Sequence, residues 1–173
     1  MSSMPKCWKN TTFLKSSAPG SSAPITVSDS PMAELWLGFD WGLGWIGVAS
    51  GQTETYTASK LKPIRARDGI PNWTDIDQLV QEWRPTGFVV GIPYNMDGSE
   101  SQMVVRARKF RKRLHGRFGL PAEEADERLT TREAWQHMNP ASSLKKAKAD
   151  DLDSVAAQII LQSWLEQRRL QQG

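Results

Sequence analysis

Leu35-Trp36-Leu37-Gly38-Phe39-Asp40-Trp41-Gly42 is an apolar run of strand length that stops at an aspartate. Gly42, Gly44 and Gly47 follow at once, and Ile46 to Ala49 is a second apolar run. The pattern predicts two strands joined by a tight glycine turn, with Asp40 at the tip of the first. A carboxylate behind a hydrophobic strand is costly to bury unless something pairs with it. Two roles fit Asp40 here. It could bind a metal or a phosphate-bound metal, or it could close a hairpin, since Asp and Gly dominate turns. The rest of the chain has to decide between them.

Working outward, Thr53 to Leu61 is rich in Thr and Tyr and reads as a third strand, so that the first three form an antiparallel meander. Pro63 to Pro71 reads as a loop carrying Arg65, Arg67 and Asp68. Thr74 then stands as a helix N-cap with acids in the following turn. Ile76, Leu79, Val80 and Trp83 form one apolar stripe, and Pro85 ends the helix. Phe88 to Ile92 is continuously apolar, as a buried parallel strand is. Pro93 to Gly98 is the loop that leaves it.

Ser99 and Gln102 make a capping-box pattern for the next helix. Met103, Ala107, Phe110 and Leu114 form its inner stripe, and Gly116 and Gly119 end it. Leu120 to Ala125 is the candidate fifth strand, weak by composition because Pro121, Glu123 and Glu124 are poor strand formers. Thr130 with Glu133 is a further helix start. Asn139 to Ala149 reads as a lysine-bearing loop. The last helix begins near Asp151 and shows Ala156, Ala157, Ile160, Leu161, Trp164 and Leu165 on one face.

The 173 residues are 39% apolar and 24% charged, which is enough for one domain with a real core. Residues 1–31 read as a disordered N-terminal tail, with a Ser-, Ala- and Pro-rich linker at 16–24, and 32–173 as the folded domain. The single cysteine, Cys7, excludes an intrachain disulfide and fits a reducing compartment. No apolar stretch reaches membrane-spanning length, and the first thirty residues lack a secretory apolar segment. The expectation is a soluble, cytoplasmic protein that is a monomer or a homodimer.

Three acidic positions have something in common. Asp40 and the pair Asp126/Glu127 each follow a strand, and Asp153 opens the last helix on its apolar stripe, where charged groups are unusual. Helix capping is the alternative for Asp153, although Asp150 and Asp151 are better placed for it. If the first, fourth and fifth strands are parallel neighbours, Asp40 and Asp126/Glu127 share the carboxyl edge of the sheet, where ligands bind in open α/β folds. The last helix would bring Asp153 there. Converging carboxylates repel, and a divalent cation offsets the repulsion. Mg²⁺ takes oxygen ligands and keeps substrate phosphates in its shell, and a pair of such ions cleaves phosphodiesters. His115 and His137 are the only histidines and have no Cys partner, which argues against zinc. The glycines after Asp40 do not make a dinucleotide fingerprint.

Seven Lys or Arg fall between Arg106 and Arg117. A solvated helix face is the bland account of them. With Lys145, Lys146, Lys148, Arg65 and Arg67 added, a nucleic-acid surface is favoured over it, despite a formal net charge of only +3. Arg106, Lys109, Arg113 and Lys148 are the cations expected to meet phosphate. Trp41 and Trp45 could stack on bases or simply pack.

Four stretches together resemble the YqgF/RuvX family of Holliday-junction-resolvase-like nucleases. They are Gly38-Phe39-Asp40-Trp41-Gly42 running to Ile46-Gly47-Val48-Ala49; Val89 to Ser99, which includes Gly91, Pro93, Asn95, Asp97 and Gly98; Asp126-Glu127-Arg128-Leu129-Thr130-Thr131; and Asp153 to Leu161. The resemblance implies an α/β, ribonuclease H-like fold with a five-stranded mixed sheet flanked by helices. It implies metal-dependent phosphodiester hydrolysis with Mg²⁺ or Mn²⁺ and a role in maturing the 5′ end of the 16S rRNA precursor. The family's acids fall on Asp40, Glu127 (with Asp126 beside it) and Asp153, and Asn95 and Arg128 match positions suited to holding phosphate. Branched four-way DNA is the alternative substrate, and a non-catalytic protein that binds RNA or a transcription complex is the alternative class. Gly42-Leu43-Gly44-Trp45 departs from the family's Gly-Thr/Ser and basic pattern after the first Asp. The fifth strand is more acidic than the family norm, and residues 1–31 have no counterpart.

Overall fold

The computed structural model describes residues 32–129 and 149–173. The expected tail with Cys7, the helix start at Thr130 and Glu133, His137, and the loop with Lys145, Lys146 and Lys148 lie outside the described residues.

Chain order among the described residues runs β1 (Leu35–Asp40), β2 (Trp45–Gln52), β3 (Thr57–Lys60), β4 (Ile64–Arg67), β5 (Ile70–Pro71), α1 (Trp73–Trp83), β6 (Gly87–Ile92), α2 (Gln102–Phe118), β7 (Ala122–Asp126), a 3-10 turn (Glu127–Leu129) and α3 (Ala149–Gln172). The sheet is mixed. β2 is antiparallel to β1, and β6 and β7 are parallel to β1 and to each other. β3 pairs with Ala49–Gln52 of β2 and β4 with Trp45–Ile46, so the two follow one another along the same edge of β2. Five lateral positions, β3-β2-β1-β6-β7, therefore carry the sheet, and β5 extends it as a short hairpin with β4.

Helices cover both faces, as a parallel strand pair buried on both sides requires. Leu37 and Phe39 of β1, with Val48, Phe88 and Val90, pack against Ile76 of α1 and Val104, Ala107, Phe110 and Leu114 of α2. The alternate residues of the same strands, Trp36, Ala49 and Val89, pack against Ala157, Ile160, Leu161, Trp164 and Leu165 of α3. All six residues of β6 are buried.

Several local expectations are corrected. The cap of α1 is Asn72, whose Oδ1 accepts from the Thr74 amide, so Thr74 lies inside the helix. α2 is capped by Ser101, and Ser99 instead closes the loop before it by accepting from Asn95 Nδ2 at 2.8 Å. Val104 is fully buried on the inner face beside Met103, which packs half-buried against the same core, and Gly119, with φ 66°, ends the helix one turn beyond Gly116. Residues 53–56 form a turn, which shortens the third strand to Thr57–Lys60. The segment expected as a loop holds the β4–β5 hairpin. Its alternation, with Ile64 and Ala66 buried and Arg65 and Arg67 exposed, is the strand signal that the arginines mask.

β7 forms despite its composition because its acids find partners on both faces. Glu123 accepts from Trp164 Nε1 of α3 at 3.0 Å. Glu124, on the other face, meets Arg108 and Arg111 of α2 at 3.3 and 3.0 Å.

Candidate active site

Asp40 ends β1 in register with Gly47 of β2 on one side and Gly91 of β6 on the other. Cross-strand partners share a face, so all three point toward α3. Both neighbours lack a side chain, and each gap is filled by another acidic residue. A Cβ at Gly47 would lie 1.9 Å from the backbone carbonyl oxygen of Asp153, so the first turns of α3 rest directly on β2. A Cβ at Gly91 would lie 2.7 Å from Glu127 Oε1, so the Glu127 side chain runs across β6 toward Asp40. Two glycines thus set the lateral approach of two carboxylates to a third.

The adjacent acids of the third stretch separate. Strand alternation puts Asp126, in register with Ile92, on the α2 face. There it binds its neighbour Arg128 through Nε at 3.0 Å and Nη2 at 2.6 Å, which holds its carboxyl below the usual aspartate range. Glu127 begins the 3-10 turn, which breaks the alternation and sends its side chain to the α3 face, where it is hydrogen-bonded to Asp40.

The electrostatic result is a protonated acid at the tip of β1. Burial first, then the charges of Glu127 and Asp153, push Asp40 up from 3.8 to about 8, and its proton is shared with Glu127. Burial also raises Glu127, with Asp126 adding, while the bond from Asp40 works the other way. Asp153, half-buried, acts on Asp40 as a neighbouring charge. Among the described residues no three His, Cys, Asp or Glu side chains stand as a ready metal cage. The donor chemistry nonetheless suits a hard divalent cation. The donors are all carboxylate oxygens, two of them are bridged by a proton that such an ion would replace, and a third negative charge adjoins them.

The other expected site residues are dispersed. Asn95 ties the β6–α2 loop through Ser99, and its backbone carbonyl accepts from Gly98 at 2.8 Å. Arg128 lies over the Tyr94 ring, with Arg108 over the same ring. Both side chains hold the loop next to the acids. Arg106, Lys109 and Arg113 lie on α2, on the far face of the sheet from Asp153. Trp41 is buried and Trp45 is half-buried under Arg65. Sequence reasoning overlooked Gly47, Gly91 and Tyr94. Each lies inside a quoted stretch, but none carries chemistry of its own that would mark it.

A mixed sheet with four antiparallel and two parallel pairings, helices on both faces and acids gathered at the end of the first strand define a ribonuclease H-like nuclease fold. RuvC of T. thermophilus, solved in complex with a Holliday junction substrate, shares that fold. Its TM-score is 0.53 at 16% identity, over 78% of this chain and 96% of that one. Residues 34–167 match the family model described as RuvX: Holliday junction resolvase. The chain belongs to the RuvX family. A proposed pre-16S rRNA nuclease of Aeromonas hydrophila subsp. hydrophila is 51% identical over 132 residues, 76% of this chain and 94% of that protein. One of Actinobacillus pleuropneumoniae serotype 5b is 49% identical over 135 residues, 78% and 98% of the two chains.

Proposed function

We propose that this chain is a divalent-metal-dependent endonuclease of the cytoplasm that processes the 5′ end of the 16S rRNA precursor. The observation that carries the reading is the meeting of Asp40, Glu127 and Asp153 at the carboxyl edge of the sheet, in a chain about half identical to relatives named for that activity. Asp40, Glu127 and Asp153 are the residues that would hold Mg²⁺ or Mn²⁺. When bound, the ion lowers the pKa of a coordinated water and offsets charge on the phosphodiester. Loading of the site would require Asp40 to release the proton that it holds against Glu127. Asp126 serves by fixing Arg128, and Tyr94 with Asn95 fixes the loop facing the acids. Arg106, Lys109, Arg113 and Lys148 attract the polyanion. No described helix is long and apolar enough to cross a membrane.

A second substrate, four-way DNA, is favoured by the family's description as a Holliday junction resolvase. One experiment covers both. Labelled rRNA precursor and a labelled four-way junction are incubated with wild type and Asp40→Asn, with and without Mn²⁺. Metal-dependent cutting of the precursor that the variant loses is the expected result. Cutting of the junction alone would select the second substrate. Tight binding without cutting would point to a non-catalytic RNA-binding protein.

A further inference from the structure

The seven cations of α2 divide into two groups. Arg108 binds Glu100 and Glu124, Arg111 binds Glu124 and the Ala122 carbonyl, and Arg117 grips both oxygens of Asp77. These three staple α2 to its surroundings. Arg106, Lys109, Lys112 and Arg113 remain. Among the described residues the last three make no ion pair.

Arg106, Lys109 and Arg113, at i, i+3 and i+7, share one side of the helix and line a cavity of about 150 Å³. Its opposite wall is the Asp68-Gly69 turn of the β4–β5 hairpin, seated on Trp41. The seating is tight. Gly69, at φ 73°, has its backbone so close to the indole that a Cβ would fall 2.0 Å from the ring, and Trp41 Nε1 donates to the Gly69 carbonyl at 2.9 Å. Arg106 clasps the same turn through the Asp68 carboxylate at 2.9 Å and stacks over Trp41 at 5.3 Å. The cavity is therefore fixed to the residue that follows Asp40. Three cations against one carboxylate leave it net positive. Its volume equals about five waters of liquid, below the roughly 300 Å³ of small-molecule pockets, which suits one phosphate group and not a whole nucleotide.

We infer that this cavity is a subsite for a non-scissile backbone phosphate, and that the substrate strand crosses the carboxyl edge of the sheet over Trp41, from the Asp40 side to the α2 side. The inference rests on the nuclease reading and adds to it the path of the substrate. Lys109 and Arg113 supply the free charge, and Arg106 shapes the wall.

Lys112 provides the control, because it lies on the same helix but outside the cavity. The test measures binding of a labelled hairpin RNA with a single-stranded 5′ extension, in EDTA, over a salt series. Wild type, Lys109→Ala/Arg113→Ala and Lys112→Ala are compared. All three positions are exposed, and alanine favours the helix, so folding is kept. Each single-strand phosphate that the protein no longer neutralises lowers the slope of log K against log salt by about 0.7. The slope of the double variant is expected to fall by about 0.7, for the one phosphate that the cavity holds, and that of the Lys112 variant to stay unchanged. Equal slopes for wild type and double variant would overturn the subsite and leave the nuclease reading standing. An equal fall for Lys112→Ala would also overturn it, in favour of a diffuse basic face. A wild type that binds no RNA would also overturn the subsite, while the nuclease reading stands or falls on the cleavage assay with metal.

Discussion

Replacing Asp40 by asparagine separates the charge at the tip of β1 from its shape. The amide keeps the size of the side chain and can still donate to Glu127, but it cannot ionise. In the wild type, burial and the neighbouring acids raise the Asp40 carboxyl from 3.8 to about 8. Between those values the folded state holds a proton that the unfolded chain has released. A raised folded pKa contributes stability that is complete below pH 3.8 and is lost as pH climbs through about 8. The slope in that window is about 1.4 kcal/mol per pH unit, on the order of 6 kcal/mol across it. The assay is urea unfolding of both proteins in EDTA from pH 5 to 9, read as the difference between the two curves so that other titrations cancel. Asp40→Asn should gain on wild type steadily toward pH 8 and then level off. Adding Mg²⁺ or Mn²⁺ should narrow the gap by stabilising wild type more than the variant. A cation that binds only the folded protein stabilises it by about 2.7 kcal/mol at a hundredfold excess over its Kd, and the variant has lost a ligand. Parallel curves in EDTA would refute the account of the buried acid. Equal stabilisation of both proteins by metal would refute the role of Asp40 in holding it.

Two further substitutions probe how the site is built. Gly47→Ala places a Cβ 1.9 Å from the Asp153 carbonyl oxygen and 2.9 Å from the Ser154 amide nitrogen, both backbone, so no rotamer relieves the clash and α3 has to shift. A melting curve should show a loss of about 1–3 kcal/mol, and cleavage should fall about a hundredfold as Asp153 is displaced. Wild-type values of both would refute the close packing. For the adjacent acids, Glu127→Gln should abolish metal-dependent stabilisation and cleavage. Asp126→Asn, which breaks a partly exposed ion pair, should cost about 1 kcal/mol or less and keep most of the activity. The same melting and cleavage assays check both, and the reverse ranking would reassign the site.

The end of β1 at Asp40, the buried run of β6 and the apolar face of α3 were legible from the chain because each reflects a local rule. Apolar side chains recur at the period that buries them, and a charge or proline stops the run. The order of acids along the chain was legible for the same reason. The hairpin Ile64–Pro71 was obscured because its exposed arginines outweighed a two-residue alternation. β7 looked weak because its glutamates are satisfied by Trp164, Arg108 and Arg111, all far away in sequence or on another element. Only the tertiary structure separated Asp126 from Glu127, turning the first to Arg128 and the second toward Asp40, since their directions depend on where β7 gives way to the 3-10 turn and on the bare backbone at Gly91. It alone also divided the basic helix into stapling arginines and cations facing a cavity. Burial periodicity is a property of neighbours along the chain. The proton held by Asp40 and the partners of each charge depend on groups brought together by strand register, and their energies follow distances that no local pattern encodes.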